Sequence, residues 1–258
     1  QLHIEAAKTL IDQVLPDTKW YSPQVIGLHG HTTLHRPDRR YTQQIGDPVL
    51  LASKLKIPVV SNFRSADVAA GGQGAPLAPA FHAAMIDGLP RPIAVINIGG
   101  MANVSWFGED GETLIAFDTG PGNGLLDMWI EKQTGERFDR DGWYASNGCC
   151  DESRLTSLMS EYYFEKPWPK SLDRSDFGTE TFEGLNLRDG AATITEFTVR
   201  SIARGLEQCP KPPGTILVTG GGRHNQYMMD RLRNIVTGIV QKVEDAGWNG
   251  DSVEAQAF

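Results

Sequence analysis

The chain has 258 residues, of which 40% are hydrophobic and 22% charged, and its formal net charge is −8 at pH 7. This length allows one large or two modest globular domains. The negative charge argues against a nucleic-acid partner, because phosphate backbones attract a basic surface. Three cysteines are too few for a disulfide framework, so we expect a reducing, cytoplasmic compartment. No apolar run approaches the roughly 20 residues that cross a bilayer, so no membrane partner is expected.

The first part of the chain is predicted to alternate helices with short strands. Residues 2–15 have the apolar spacing of a helix, which Pro16 would close. Short apolar runs predict strands at 24–27 and 57–61.

Polar residues and glycines follow both of these strands. The two imidazoles of the segment 29–33 could bind a metal, but no third ligand has a suitable spacing, so no metal site is predicted. A turn that directs Thr32 into a cleft is favoured instead. Arg64 follows the second strand, and the glycine-rich segment 71–76 comes soon after it, which suggests a mobile or substrate-facing loop.

Two helices and a boundary are expected before residue 93. Asp47-Pro48 predicts a capped helix with proline at its first position. Residues 79–89 also have a helical pattern. Because Pro90-Arg91-Pro92 interrupts it, we expect two domains, residues 1–90 and 91–258.

The centre of the sequence is the apolar run 94–98, which stops at the pair Gly99-Gly100. This pattern predicts a buried strand that ends in a tight turn. A second run, 114–117, ends at Asp118 and is followed by two glycines and a proline. Glycine lets backbone N–H groups approach an anion, so a phosphate could lie beside the Asp118 carboxylate. A plain β-hairpin turned by residues 108–111 is the other interpretation.

The last part again predicts helices and one buried strand. A helix at 125–130 would place the Asp118 loop at a helix N-terminus, where anions are favoured. Residues 138–169 are expected to be irregular with one short helix near 152–163, and Asp139 and Asp141 to be surface acids. A helix is expected at 191–207. A strand at 215–219 then enters a run of three glycines, which permits close approach of a ring or a phosphate and precedes another helix.

Taken together and in order, these motifs resemble the anhydro-N-acetylmuramic acid kinases, which belong to the actin and sugar-kinase superfamily. The resemblance covers nearly the whole chain and is carried by the segments 27–32, 44–48, 63–76, 97–103, 117–123, 169–171, 218–225 and 253–258.

The resemblance implies an α/β fold with two ribonuclease H-like lobes and an active site in the cleft between them. It implies a sugar kinase that uses ATP and Mg²⁺ as a homodimer. Such an enzyme opens 1,6-anhydro-N-acetylmuramic acid with water and phosphorylates O6, in recycling of cell-wall sugars. By the same resemblance Asp118 is the catalytic base, and Thr32, Arg64 and Glu254 bind the sugar. The nucleotide would contact Asn97, Gly99, Gly100, Asn103, Gly120, Gly122, Asn123, Gly220, Gly221, Gly222 and Asn225.

Two other functions remain open from the residues alone. One is a glycosidase without a nucleotide, in which Asp118 and Glu254 form a carboxylate pair. The other is a fragment that binds sugar or nucleotide without chemistry. The chain opens at Gln1 and stops at Phe258 within apolar patterns, and nothing in it matches the family's N-terminal Gly-Thr-Ser-x-Asp-Gly-type phosphate loop. We therefore expect an internal fragment or a chain with unobserved or removed ends.

Overall fold

The computed structural model describes residues 1–14, 23–173 and 176–258, which form two compact units. The first unit holds residues 1–74 and Phe258, and the second holds residues 75–257. The units divide after Gly74, earlier than the boundary expected at residue 90. The reason is that the helix after Gly74 packs with the second unit, where Ile86 is fully buried beside Ile93 and Val95.

The first unit contains two small sheets and three helices among its described residues. β1 and β4 are parallel, and β2 and β3 form an antiparallel hairpin. The elements are α1 (Leu2–Val14), β1 (Ile26–Leu28), β2 (His31–Arg36), β3 (Tyr41–Ile45), α2 (Pro48–Leu55), β4 (Val59–Ser61) and α3 (Ser65–Ala69).

The expected cap at Asp47 is confirmed, since its carboxylate accepts the Leu50 N–H at 2.8 Å. The turn expected at 29–33 is shorter than predicted. Only His29 and Gly30 form it, and Thr32 lies inside β2. Pro16, which was expected to close α1, lies outside the described residues.

The second unit is built on a five-stranded sheet with the order β7-β6-β5-β8-β9. β6 is antiparallel to both of its neighbours, β5 and β7, whereas β8 is parallel to β5 and β9 is parallel to β8. The strands are β5 (Ile93–Ile98), β6 (Met101–Phe107), β7 (Leu114–Pro121), β8 (Thr215–Thr219) and β9 (Ile239–Lys242).

β5 is buried over its whole length because helices cover both faces of the sheet. Ile96 and Ile98 belong to the larger apolar core, which includes residues of α5 and α9. Ile93 and Val95 belong to a smaller core on the other face. The apolar run 94–98 was predicted to form a buried strand, and this prediction is confirmed.

The helices of the second unit surround this sheet. They are α4 (Pro79–Met85), α5 (Asn123–Thr134), α6 (Trp143–Ser146), α7 (Glu152–Met159), α8 (Tyr162–Glu165), α9 (Leu187–Glu207), α10 (Gln226–Ile235) and α11 (Val253–Ala257). Residues 138–169 therefore hold three short helices in place of the single one expected. None of the helices in the described ranges combines the length and apolar character that crossing a bilayer would require.

β7 is an edge strand and continues beyond the point expected from the sequence. Asp118 was predicted to end it, but the ladder runs on to Pro121, which pairs with Met101. An edge strand tolerates proline because one side of its backbone has no strand partner. The register shifts between Ala102 and Asn103, so the Asp118–Gly120 stretch contains a β-bulge.

Candidate active site

A row of polar side chains crosses the apolar sheet of the second unit. Asp118 pairs with Asn103, Asn103 with Asn97, and Asn97 with Thr219 on four neighbouring strands. Residues paired in register direct their side chains to the same face of a sheet. The structure therefore brings together three of the predicted site residues and adds Thr219, which lay inside a quoted motif but had no predicted role. We call Asp118, Asn103, Asn97 and Thr219 the polar rung.

Asp118 is 5% exposed and is held at its backbone and at its carboxylate. Its N–H donates to the Lys170 carbonyl at 3.2 Å, and its own carbonyl accepts the Tyr163 hydroxyl at 2.5 Å. The carboxylate Oδ2 accepts the Leu172 N–H at 2.9 Å. This contact fixes the position of one carboxylate oxygen.

Lys170 and Tyr163 were not predicted as site residues. Lys170 is 1% exposed, and burial together with the nearby charges of Lys166 and Arg204 lowers its pKa to about 8. The only signal in the sequence was the segment Pro169-Lys170-Ser171, which carried part of the resemblance without an assigned role.

Glu254 contacts the polar rung. The Asn97 amide donates to its carboxylate Oε1 at 2.9 Å, and Glu254 itself lies on α11 at an exposed position. Gly220 packs against Asn97 and the Ile98 carbonyl with a φ of +78°, a conformation that favours glycine. Glu254, predicted to bind the sugar, and Asn97 and Gly220, predicted to contact the nucleotide, are thus neighbours at the end of β5.

The Gly99-Gly100 pair forms the tight turn between β5 and β6, and its carbonyls face the start of α5. The Asn123 N–H donates to the Gly99 carbonyl at 2.6 Å. The Gly100 carbonyl accepts the N–H groups of Gly122 at 3.1 Å and Gly124 at 3.2 Å. The expectation that this helix N-terminus is open to an anion is therefore wrong for these three amides, because protein oxygens already occupy them.

Close packing explains why positions 120 and 122, both predicted to contact the nucleotide, are glycines. A Cβ on Gly120 would lie 2.5 Å from the Ser201 Cβ of α9, and one on Gly122 would clash with the Gly99 carbonyl. Both glycines are buried. Their contact with a nucleotide stays a prediction that their surroundings do not favour.

The three-glycine loop after β8 is anchored by a buried arginine that was also missed. Arg223 is 1% exposed and donates to the Gly220 carbonyl at 2.8 Å. It also pairs with Glu244 at 2.8 Å and Asp251 at 2.7 Å. Gly222 packs directly on Ile98. Gly221 is exposed, and a Cβ added to it would lie 3.1 Å from the Asn123 side-chain nitrogen, its nearest neighbour.

A cavity of about 490 Å³ opens beside Gly221 and Asn123. The half-exposed ring of Phe138 forms part of its wall, and the Arg140 guanidinium lies 5.3 Å from that ring. Asn225 also lines the cavity, and its side-chain oxygen Oδ1 caps α10 by accepting the Met228 N–H at 3.0 Å. Three predicted nucleotide residues, Asn123, Gly221 and Asn225, therefore border one space.

Asp139, which also lines this cavity, is not the surface acid that was expected. It is 4% exposed, and its carboxylate accepts the N–H groups of Tyr144 at 2.8 Å and Ala145 at 3.0 Å. Burial raises its pKa despite these donors. Asp139 thus supports the wall by accepting two N–H groups from the first turn of α6, whereas Asp141 is exposed as expected.

The first unit carries the predicted sugar residues Thr32 and Arg64. Arg64 donates to the His29 ring at 3.0 Å and to the Gly74 carbonyl at 2.5 Å. Gln44 donates to the Thr32 hydroxyl at 3.3 Å. His29 and Gln44 both line a cavity of about 140 Å³, so Thr32 and Arg64 each contact a wall of the same space.

The glycine-rich segment after α3 is tied at its end. Besides the Arg64 bond, the Gly74 N–H donates to the Asp67 carboxylate at 2.6 Å. These two bonds fix the end of the segment at Gly74, and its role as a mobile or substrate-facing loop stays a prediction. In the described ranges no group of three or more His, Cys, Asp or Glu side chains is arranged to hold a metal ion.

Comparison with known proteins places these features in a family. A sequence model described as anhydro-N-acetylmuramic acid kinase matches residues 2–258. The enzyme of that name from Acidiphilium cryptum (strain JF-5) is 54% identical over 237 residues, which are 91% of this chain and 65% of the relative. The one from Rhodospirillum rubrum is 49% identical over 256 residues, 99% of this chain and 67% of the relative. The chain thus spans about two thirds of the length of these curated relatives.

A solved structure shows the same fold. The activator of the 2-hydroxyisocaproyl-CoA dehydratase from Clostridium difficile superposes with a TM-score of 0.51 over 97% of this chain and 78% of its own, at 12% identity. The mixed α/β fold expected from the sequence is confirmed. By its sequence over residues 2–258, this chain belongs to the anhydro-N-acetylmuramic acid kinase family.

Proposed function

We propose that the protein containing this chain is an ATP-dependent kinase of 1,6-anhydro-N-acetylmuramic acid. Water attacks the anomeric carbon, the bond from that carbon to O6 breaks, and O6 receives the γ-phosphoryl group of ATP. The products are N-acetylmuramic acid 6-phosphate and ADP, which suits recycling of cell-wall sugars. The match of residues 2–258 to this family carries the proposal.

Asp118 is the proposed base that takes a proton from the attacking water. Three features support this role: it is nearly buried, its Oδ2 is fixed by the Leu172 N–H, and it stands on the polar rung beside Asn103. A positioned base contributes roughly 10²–10⁴ in rate.

The cavity beside Gly221 is the proposed place for the nucleoside part of ATP. Its lining includes the ring of Phe138, the side-chain amides of Asn123 and Asn225, and the open space at Gly221. A pocket with an apolar ring and a few polar groups suits a flat base and a ribose. For the sugar we propose Thr32, Arg64 and Glu254. A guanidinium suits the lactyl carboxylate of the muramic acid.

Mg²⁺ would neutralise phosphate charge when bound with the nucleotide. The donor set fits a cation held mainly by the phosphates, since Mg²⁺ commonly uses only one or two protein carboxylates. Holding it through water is the rival role for Asp118. A homodimer and a cytoplasmic location stay predictions.

The dependence of turnover on ATP tests the reaction class. With the complete protein, we expect consumption of the anhydro sugar to require ATP and to form one ADP for each sugar opened. Sugar hydrolysis at an equal rate without ATP would instead identify a glycosidase. Binding of both substrates without turnover would identify a non-catalytic protein.

Asp118→Asn tests the base. Asparagine keeps the shape and can still accept the Leu172 N–H, but it cannot take the proton. We expect kcat to fall by at least about a hundredfold while ATP and sugar still bind. Asp87→Asn, which changes an exposed acid of the same unit, is the control. Near-normal turnover of Asp118→Asn would exclude the base role, and activity recovered at high Mg²⁺ would favour the metal role.

A further inference from the structure

The segment Pro169–Leu172 lies along the outer edge of β7, where the sheet offers Asp118 no strand partner on that side. Two hydrogen bonds join them. The Asp118 N–H donates to the Lys170 carbonyl, and the Leu172 N–H donates to the Asp118 carboxylate. One short segment therefore fixes both the backbone and the side chain of the proposed base.

The side chain of Lys170 holds this segment in place. Its Nζ donates to the Tyr163 carbonyl at 3.1 Å and lies 4.7 Å from the Tyr163 ring and 5.4 Å from the Phe117 ring. A buried ammonium is costly unless it is compensated, and here a carbonyl and two ring faces compensate it.

Tyr163 contacts both Lys170 and Asp118. Its hydroxyl donates to the Asp118 carbonyl, so the residue that receives the Lys170 ammonium also touches the backbone of the base. Phe117, the other ring beside Lys170, is the residue before Asp118 in β7. Lys170 is thus connected to Asp118 in two ways. One connection is through Tyr163, which hydrogen-bonds the Asp118 carbonyl, and the other is through Phe117, which precedes Asp118 in β7.

We propose that Lys170 is a positioning residue for Asp118. By anchoring Pro169–Leu172 against Tyr163 and Phe117, it keeps the Leu172 N–H on Oδ2 and so fixes the direction in which the carboxylate accepts a proton. This inference rests on the proposed role of Asp118 as the base.

Lys170→Met in the complete protein tests it, because methionine fills similar space without the ammonium. We expect kcat to fall by about tenfold or more, with the KM values for ATP and sugar nearly unchanged. Lys170→Arg, which keeps a cation, should recover part of the lost kcat. Lys166→Met removes an exposed ammonium four residues before Lys170 and should leave turnover unchanged. Normal kcat in Lys170→Met would overturn the proposal.

A double-mutant cycle separates positioning from general support of the fold. If Lys170 acts through Asp118, Lys170→Met should cause no further loss of kcat in an Asp118→Asn background. Independent, multiplying losses would contradict the proposal. The cycle also separates two failures. An active Asp118→Asn refutes the proposed base, whereas an inactive Asp118→Asn with an active Lys170→Met refutes only the positioning role.

Tyr163→Phe gives a second test if Lys170→Met does not fold. This change removes only the hydroxyl that donates to the Asp118 carbonyl and keeps the ring beside Lys170. We expect a lower kcat with unchanged ATP affinity, measured by titration calorimetry. A wild-type kcat in folded Tyr163→Phe would overturn the proposal.

Discussion

At the residue scale, the bulge in β7 determines what Asp118 can reach. The extra residue, Thr119, is 1% exposed and packs on Gly205 of α9. A bulge changes which face the following side chains occupy and often lies beside an active site. Here it leaves Asp118 paired with Asn103 while the next residues are buried under α9.

Arg64→Lys tests the proposed contact between Arg64 and the sugar. Lysine keeps the charge but cannot reproduce a guanidinium fork. If Arg64 binds the lactyl carboxylate, KM should rise more for the muramic sugar than for an analogue without the lactyl acid, which initial-rate kinetics would measure.

The control for Arg64→Lys is Asp67→Asn, because Asp67 ties the same loop at the Gly74 N–H. It should not discriminate between the two sugars. Equal effects of Arg64→Lys on both sugars would mean that Arg64 acts on the loop alone.

At the element scale, two adjacent glycines in the loop after β8 have different structural roles. Gly222 is buried against Ile98, so its lack of a side chain permits packing. Gly221 is exposed at the cavity, so its lack of a side chain leaves space there. Arg223 fixes both by holding the Gly220 carbonyl.

Gly221→Val should therefore weaken ATP binding and spare both the fold and sugar binding. Gly222→Ala should instead lower the free energy of unfolding, because its Cβ would overlap the Ile98 side chain. Gly214→Ala, whose Cβ would have its nearest neighbour at 3.8 Å, is the control for adding a methyl group. ATP titration and urea unfolding measure the two effects. Unchanged ATP affinity in Gly221→Val would remove this loop from the nucleotide site.

At the scale of the whole molecule, the second unit depends on a histidine buried beneath its sheet. His82 of α4 is 1% exposed, and its Nδ1 bonds the Ser105 hydroxyl of β6 at 2.9 Å. Burial lowers its pKa to about 4. The neutral ring is thus part of the packing between α4 and β6.

The stability of the protein should fall in acid because of this group. The unfolded chain takes up a proton near the ordinary pKa of about 6.5, whereas the folded protein does so only near 4. The free energy of unfolding should therefore decrease as the pH drops from about 6.5 to about 4, by roughly 3 kcal/mol in total. His82→Asn should show a flatter pH dependence in urea unfolding, whereas His224→Asn, an exposed site, should match the wild type. Equal slopes for His82→Asn and wild type would contradict this origin.

Much of the fold could be predicted from local patterns. β8 has the predicted bounds because an apolar run lies between Gly214 and Gly220, and α2 begins after Asp47 as its cap requires. The continuation of β7 to Pro121 was missed because Gly-Pro-Gly resembles a turn, and only the sheet order shows that β7 is an edge strand. The contacts of Lys170 join distant segments, and local periodicity cannot reveal such contacts.

The turn at Gly99-Gly100 has a consequence for how charge is balanced on the second unit. Three amides at the start of α5 already have carbonyl partners, so they offer a triphosphate little electrostatic attraction. On the proposed mode of nucleotide binding, we therefore expect the phosphate charge to be balanced by a divalent cation or by basic groups outside this turn. If the cavity beside Gly221 holds the uncharged base and ribose as proposed, we expect its share of the affinity to be insensitive to ionic strength.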